Sequence, residues 1–211
     1  MQKKVFIVGA GGLGRQIEFY AESHPDFKNG SCSLEGYIDD NPGALDNKFS
    51  RLSVVGNVDD YLFEPDDRVI LAIGNIEQRE RIVAKLQSRA EIISFIANDT
   101  TIGFNTIIGK GVVICPDVHI GCNCLVEDYC LINLKTIVGH DSTLGEFSSL
   151  MPRSDIGGGS KVGKKVYMGT KATISPGLEI CDEVFIGVNT TVLKSIHESG
   201  TYFGLPARKM S

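Results

Sequence analysis

The chain has 211 residues, 24 of them glycine and none tryptophan, and its formal net charge is −5. This acidic balance argues against nucleic-acid or membrane-surface binding, which requires a basic patch. No apolar run reaches the roughly 20 residues of a membrane-spanning helix. The first residues enter a strand pattern at once, with no signal-peptide core, so we expect a cytoplasmic protein that does not insert into membranes.

The N-terminal segment begins with a strand and a glycine-rich turn. The apolar run Val5-Phe6-Ile7-Val8 predicts a buried strand, and Gly9-Ala10-Gly11-Gly12-Leu13-Gly14 leads from it into an amphipathic helix that ends near Ser23. Such a turn lets backbone N–H groups approach a phosphate at a helix N-terminus. Although the glycines satisfy G-x-G-x-x-G, the unit is too small for a full double Rossmann fold.

Two further strands are predicted to end beside this turn. Residues 34–38 form a strand that ends in Asp39-Asp40, and residues 69–73 form one that ends in Gly74-Asn75. A helix follows through about Ser88, and then a last strand near 92–96. Because ligands bind at the carboxyl ends of parallel strands, we predict a ligand site there. The alternative is a fold with tight turns and no ligand.

The C-terminal half carries a six-residue repeat. Counting in sixes from Ile102 to Val192 gives sixteen positions, all aliphatic, and the following residue is glycine nine times. A short strand and a tight turn every six residues explain this spacing, with glycine supplying the turn dihedrals. Three strands make a coil of 18 residues, so we predict a parallel β-helix of five coils. Hairpins would need period-two alternation. We place the domain boundary between residues 1–97 and 98–211.

The six cysteines are read as packing residues, because five of them lie at positions of the repeat that favour small side chains. Without a secretory signal a disulfide framework is not expected. Cys122-x-Cys124 has no second Cys pair or paired histidines at zinc spacing, so no metal site is predicted.

Five motifs are shared with a known family: residues 6–14, Tyr37-Ile38-Asp39-Asp40-Asn41, Ala72-Ile73-Gly74-Asn75, Val138-Gly139-His140-Asp141 and residues 204–210. Through them both halves together resemble the sugar acetyltransferases of the bacillosamine-pathway (UDP-4-amino-sugar N-acetyltransferase) and sialic-acid O-acetyltransferase type. The resemblance covers nearly the whole chain and implies a small Rossmann-like parallel sheet, then a left-handed parallel β-helix, in homotrimers with sites between subunits. Acetyl-CoA would be the co-substrate, lying along the β-helix.

The resemblance also implies roles for individual residues. On the substrate side, Gly11, Gly12 and Leu13 would line the phosphate loop, and Asp39 and Asp40 would contact the uridine. Gly74 would form the third wall of the site, and Asn133 would contact the sugar. On the acetyl-CoA side, Ser149 stands where some relatives have a second histidine that contacts acetyl-CoA. The N–H of Gly158 would polarise the thioester carbonyl, and Thr170 and Val188 would contact CoA through backbone groups.

The implied catalytic pair is His140 and Asp141. Acetyl transfer needs a base for the proton of the nucleophile, and a neutral imidazole suits that role at pH 7. An adjacent carboxylate can fix the tautomer and stabilise the imidazolium. A histidine on a turn is by itself more often a solvated surface residue, so the prediction depends on the resemblance. His119 lies in a different phase of the repeat.

The function predicted is N-acetylation of a nucleotide-linked, UDP-type amino sugar for surface glycan synthesis. O-acetylation of a sugar hydroxyl, as on sialic acid, is the second hypothesis, because the same base would serve. A non-catalytic nucleotide-sugar-binding protein is a third. A β-helix carbonic anhydrase is disfavoured, because it needs three convergent histidines, whereas His119 and His140 are out of step with an 18-residue coil.

Overall fold

The computed structural model describes residues 2–210. The chain forms two compact units, divided between Asn98 and Asp99. Within the described residues, no helix is both long enough and apolar enough to span a bilayer.

The first unit is a small parallel sheet with helices. Its five strands are hydrogen-bonded in the order β3-β2-β1-β4-β5, and every pairing is parallel. The inner strand β1 and its neighbour β4 carry the buried core. The elements are β1 (Lys3–Val8), α1 (Gly12–Ala21), α2 (Pro25–Lys28), β2 (Cys32–Ile38), β3 (Val54–Gly56), β4 (Arg68–Leu71), α3 (Ile76–Leu86) and β5 (Glu91–Ile92). A short strand that follows, β6 (Phe95–Ile96), is not part of this sheet.

The prediction of a parallel sheet with helices is confirmed, and two elements were not predicted. Strand β3 has only three residues and is partly exposed, so it shows no apolar run. Helix α2 has four residues and starts after the extended residue His24, whose Nδ1 accepts from the N–H of Asp26 at 3.3 Å. Both elements are too short for a periodic pattern to reveal them.

The second unit is a parallel β-helix, as the repeat predicts. Paired residues on neighbouring coils are 18 apart, as in His119↔Ile137 and Leu131↔Ser149. The hand of the coil stays a prediction from the family resemblance. The strands are β7 (Thr101–Ile102), β8 (Ile107–Ile108), β9 (Val113–Ile114), β10 (His119–Ile120), β11 (Leu125–Val126), β12 (Leu131–Ile132), β13 (Ile137–Val138), β14 (Thr143–Leu144), β15 (Ser149–Leu150), β16 (Asp155–Ile156), β17 (Lys161–Val162), β18 (Tyr167–Met168), β19 (Thr173–Ile174), β20 (Glu179–Ile180), β21 (Val184–Ile186), β22 (Thr191–Val192), β23 (Gly200–Phe203) and β24 (Arg208–Lys209).

These strands form three faces. The first face contains β7, β10, β13, β16, β19 and β22, and the second contains β8, β11, β14, β17 and β20. The third face includes β9, β12, β15, β18 and β21, to which β23 adds in parallel and β24 antiparallel. On the first face, Ile102 to Val192 spans five coils, because each coil advances the chain by 18 residues.

The prediction that glycine supplies the turn dihedrals is wrong. The turn residue with positive φ lies three positions after each aliphatic residue, from Asn105 to Asn189, and in twelve of fifteen coil corners it is not glycine. None of the nine glycines that follow an aliphatic residue has a left-handed φ. At each of them an added Cβ would overlap a neighbouring segment, so close stacking, not φ, demands glycine.

Small polar side chains two positions before the aliphatic residue bind the next corner inside the β-helix. Ser148 Oγ donates to the Gly163 carbonyl at 2.9 Å, and Cys124 Sγ donates to the Gly139 carbonyl at 3.1 Å. All six cysteines are unpaired thiols. Burial raises the pKa of the Cys115 thiol to about 12, which makes it unreactive.

Candidate active site

His140 lies on the turn between β13 and β14, at the corner of the first and second faces. Its side chain is 73% exposed, and its Nδ1 is 2.6 Å from Oδ2 of Asp141. An ionised carboxylate only accepts hydrogen bonds, so Nδ1 carries the proton. In the neutral ring, Nε2 is therefore left free to accept a proton.

Asp141 is held on both sides of its carboxylate. Its backbone φ is +57°, a left-handed conformation that aspartate tolerates, and its N–H donates to the Cys122 carbonyl at 2.9 Å. The side chain of Asn123 donates to the other carboxylate oxygen, Oδ1, at 3.0 Å. The hydrogen bond from His140 and then that from Asn123 hold the pKa of the Asp141 carboxyl below its ordinary value.

The imidazole of His140 lies against Gly158 on the next coil. A Cβ at Gly158 would be 2.8 Å from Nε2 of His140, closer than atoms pack. The N–H of Gly159 donates to the His140 carbonyl at 2.7 Å, which joins the two turns. The Gly158 N–H makes no hydrogen bond with residues 2–210. His140 and Gly158 therefore lie side by side on neighbouring coils.

The glycines that follow β1 and β4 divide into two kinds. Gly9 has φ +101°, and a Cβ there would lie 2.7 Å from Ile73 Cδ1, while a Cβ at Gly14 would overlap the Gly9 carbonyl. These two are required by the fold. Gly11 is the N-cap of α1, and a Cβ on Gly11, Gly12 or Gly74 would meet nothing within 4 Å. Because these three follow β1 and β4, their backbone is open at the strand ends.

The carboxylates of Asp39 and Asp40 accept hydrogen bonds from backbone N–H groups of neighbouring loops. Oδ2 of Asp39 accepts from the N–H of Ala10 at 2.7 Å, and Oδ1 accepts from that of Asn41 at 2.9 Å. Asp40 accepts from the N–H of Val58 at 3.0 Å. The two acids line a small cavity of about 50 Å³ with Gly9 and Gln78. A carboxylate has about four acceptor sites, so both can still bind a ligand hydroxyl or amide.

Sequence reasoning missed a buried polar cluster behind α1. Oε2 of Glu18 accepts from the Tyr37 hydroxyl at 2.5 Å and from Ser50 Oγ at 2.7 Å, and Oε1 accepts from the Arg51 N–H at 2.7 Å. Burial raises the pKa of Glu18, but these hydrogen bonds outweigh it and lower the pKa overall. Burial and the bond to Glu18 raise the pKa of Tyr37. A glutamate on the buried face of an amphipathic helix was the available signal.

The remaining predicted residues lie on other parts of the β-helix. Thr170 and Val188 are exposed at the corner of the third and first faces, where the Asn189 N–H donates to the Thr170 carbonyl at 2.9 Å. Asn133 lies at the same corner, and its side-chain oxygen accepts from the N–H of Leu134 at 2.7 Å. None of these is at the His140 corner.

Ser149 does not fit its predicted contact with acetyl-CoA. It lies in β15 on the third face, and its exposure is 0%. A hydroxyl buried in this way is not accessible to a cofactor from solvent. The expectation came from the place of a histidine in relatives, and a small serine is instead enclosed there.

The chain is a hexapeptide-repeat β-helix preceded by a small parallel α/β unit. Residues 4–86 match the family described as PglD N-terminal domain, and residues 99–134 match bacterial transferase hexapeptide (six repeats). These matches confirm the resemblance inferred from the sequence motifs.

Solved structures share the fold along the whole chain. One is the acetyltransferase domain of PglB from Neisseria gonorrhoeae FA1090, at 21% identity and TM-score 0.88, covering 99% of this chain and 100% of that chain. PerB from Caulobacter crescentus, in complex with CoA and GDP-perosamine, has 24% identity and TM-score 0.87 over 99% and 97%. WeeI from Acinetobacter baumannii AYE has 24% identity and TM-score 0.84 over 97% and 98%.

Within residues 2–210, no three His, Cys, Asp or Glu side chains converge in a way that could hold a metal ion. His119 lies on the exposed outer side of β10, whereas His140 lies on a turn. The two histidines therefore belong to different surfaces of the β-helix, as their phase in the repeat indicates.

Proposed function

We propose that this protein is an acetyl-CoA-dependent N-acetyltransferase that acts on a nucleotide-linked amino sugar. The observation that carries the proposal is the His140–Asp141 pair, with 2.6 Å between Nδ1 and the carboxylate and a free Nε2 beside Gly158. Acetyl-CoA is the co-substrate, and no metal takes part. The imidazole supplies the base that attack on a thioester requires.

The reaction follows from this geometry. Nε2 of His140 accepts a proton from the sugar amine as the nitrogen attacks the thioester carbonyl. Asp141 stabilises the imidazolium, and the open N–H of Gly158 faces the developing oxyanion, a type of contact worth about 3 kcal/mol. The C–N bond forms, the C–S bond breaks, and the proton passes to the CoA thiolate. No acyl-enzyme is needed.

The open strand ends of the first unit form the substrate site in this proposal. Gly11, Gly12 and Leu13 present the N-terminal N–H groups of α1 to the diphosphate. Asp39 and Asp40 contact the nucleoside, and Gly74 forms the third wall. Asn133 contacts the sugar with its amide group, since its carbonyl oxygen already binds the turn.

Amine rather than hydroxyl acetylation is favoured by a structural neighbour. Perosamine N-acetyltransferase from Caulobacter crescentus was solved with CoA and GDP-perosamine, including variants in which one histidine is replaced by asparagine or alanine. O-acetylation of a sugar acid remains the second candidate, because the same base serves a hydroxyl. A non-catalytic nucleotide-sugar-binding protein would not need the ordered His140–Asp141 pair.

The proposal is tested with a panel of UDP-, GDP- and dTDP-linked amino sugars and acetyl-CoA, measuring release of free thiol. We expect turnover with at least one nucleotide amino sugar and none with its 4-hydroxy counterpart. Turnover of free sialic acid alone would favour the O-acetyltransferase. Binding of nucleotide sugars without any thiol release would favour the non-catalytic protein. That hypothesis also predicts that acetyl-CoA leaves the melting temperature of the protein unchanged.

A homotrimer with sites between subunits is part of the proposal. His140 and Gly158 occupy one corner of the β-helix, whereas Thr170 and Val188, the residues assigned to acetyl-CoA, occupy another. A site built from both corners is completed by a neighbouring subunit in a closed ring. The six unpaired cysteines fit a reducing compartment, and we assign the protein to the cytoplasm.

Subunit complementation tests the shared site. His140→Ala and Val188→Glu are each expected to be inactive alone. Co-assembled in equal amounts, they regain about a quarter of the wild-type activity, because a quarter of random interfaces pair an intact His140 corner with an intact Val188 corner. If verified mixed trimers recovered no activity, the His140 corner and the Val188 corner would belong to the same chain's site. A monomer in sedimentation equilibrium would exclude a site shared between subunits.

A further inference from the structure

We propose that Asn123 is a positioning residue for the base: it fixes the Asp141 carboxylate and so determines which ring nitrogen His140 presents to substrate. The inference rests on the proposed function, because it concerns the same site. It assigns a role to a side chain one full coil before the catalytic pair, at a position that no sequence motif marks.

Asn123 belongs to a hydrogen-bonded ladder along one corner of the β-helix. Nδ2 of Asn105 donates to Oδ1 of Asn123 at 2.9 Å, and Nδ2 of Asn123 donates to Oδ1 of Asp141 at 3.0 Å. The three residues are 18 apart, one per coil, and have φ of 57°, 55° and 57°. The shared left-handed backbone therefore aims their side chains in the same way and stacks them.

The ladder has one direction. A carboxamide has one accepting oxygen and one donating nitrogen. Because Asn105 donates to the oxygen of Asn123, the nitrogen of Asn123 must face Asp141. A carboxylate can only accept, so the ladder ends there. Asp141 is then left with Oδ2 for His140, and a proton on Nδ1 is the only arrangement that satisfies both contacts.

Among the described residues, the Asp141 carboxylate accepts hydrogen bonds only from His140 and Asn123. The coil before His140 contributes Cys122 and Asn123, of which only Cys122 carries an ionisable group. The coil after it contributes Gly158 and Gly159, which have no side chains. The Asp141 side chain is 55% exposed, so without Asn123 only the contact with His140 would hold its carboxylate.

Asn123→Gly tests this role with the backbone left unstrained, since glycine adopts a positive φ without steric strain. We expect kcat to fall about tenfold, with the KM values for both substrates little changed, as when an orienting partner of a site residue is lost. Asp117→Gly, at another left-handed corner with φ 57°, is the matched control and keeps wild-type kcat.

Asn123→Asp keeps the shape but replaces the donor with a second carboxylate. The added negative charge stabilises the imidazolium, so the acidic limb of kcat/KM moves to higher pH by about half a unit or less. An unmoved acidic limb would contradict the coupling between position 123 and the base.

Nitrogen-15 NMR of labelled histidine supplies a spectroscopic readout. In the wild-type protein, neutral His140 is expected as the Nδ1–H tautomer, and in Asn123→Gly this preference is lost. Wild-type kcat together with an unchanged tautomer in Asn123→Gly would overturn the inference alone. Full activity of His140→Ala would instead overturn the proposed function, so the two failures are distinguishable.

Discussion

Replacing His140 with alanine is expected to lower kcat by about 10³-fold, the middle of the range for loss of a general base. KM for either substrate is expected to change little, because the base acts in the transition state rather than in substrate binding. The exposed ring makes no buried contact, so the variant should fold with a near-wild-type melting temperature. Steady-state thiol release and thermal unfolding measure the two effects.

His119→Ala is the matched control for this experiment. His119 is an exposed histidine on the outer side of β10, one coil from β13, and it should retain wild-type kcat. Equal losses in both variants would mean that the β-helix surface, not the base, had been disturbed. Wild-type turnover by His140→Ala would contradict the assignment of the base directly.

Coil stacking adds one further control for the direct-transfer mechanism. Cys122 lies at the same corner one coil before His140, although 18 residues separate the two in sequence. Cys122→Ser should therefore keep its turnover if no acyl-enzyme forms. Loss of turnover together with a trapped acetyl-cysteine would replace direct attack by a two-step route.

Gly145→Ala is expected to destabilise the β-helix by about 3 kcal/mol, the upper end of the usual cost of overpacking. A Cβ there would lie 2.5 Å from the carbonyl oxygen of Gly163 and 2.6 Å from the N–H nitrogen of Lys164 on the next coil. Both are backbone atoms, so no side-chain rotation can relieve the overlap. Chemical denaturation followed by circular dichroism would measure the loss in the free energy of unfolding.

Lys171→Gly is the converse substitution. Lys171 is an exposed corner residue with φ 60°. Glycine at this position removes the cost of holding a residue with a Cβ in a left-handed backbone conformation, about 1 kcal/mol. It adds a similar cost in backbone entropy. Its free energy of unfolding should therefore stay within about 0.5 kcal/mol of wild type. If Lys171→Gly stabilised strongly while Gly145→Ala was neutral, the corner dihedrals and not the stacking would explain the glycines.

The amino-acid sequence determined the structural elements that follow from a periodic residue pattern. Aliphatic residues every sixth position required a β-helix with an 18-residue coil, because no other regular structure buries one side chain in six. Apolar strand runs followed by Gly11, Asp39 and Gly74 located the open edge of the parallel sheet. The His140–Asp141 pair was predicted from the family resemblance instead, because neither the periodicity nor a lone histidine on a turn identifies a base.

Only the tertiary structure decided what depends on contacts between coils. The sequence shows where glycine occurs, but the overlap that demands it at Gly145 involves residues 18 and 19 positions later. Ser149 lies at a plausible place in the repeat, yet folding buries it completely. The Asn123–Asp141 bond likewise joins side chains one coil apart. Each of these depends on which residues the 18-residue coil stacks, and a local pattern carries no such information.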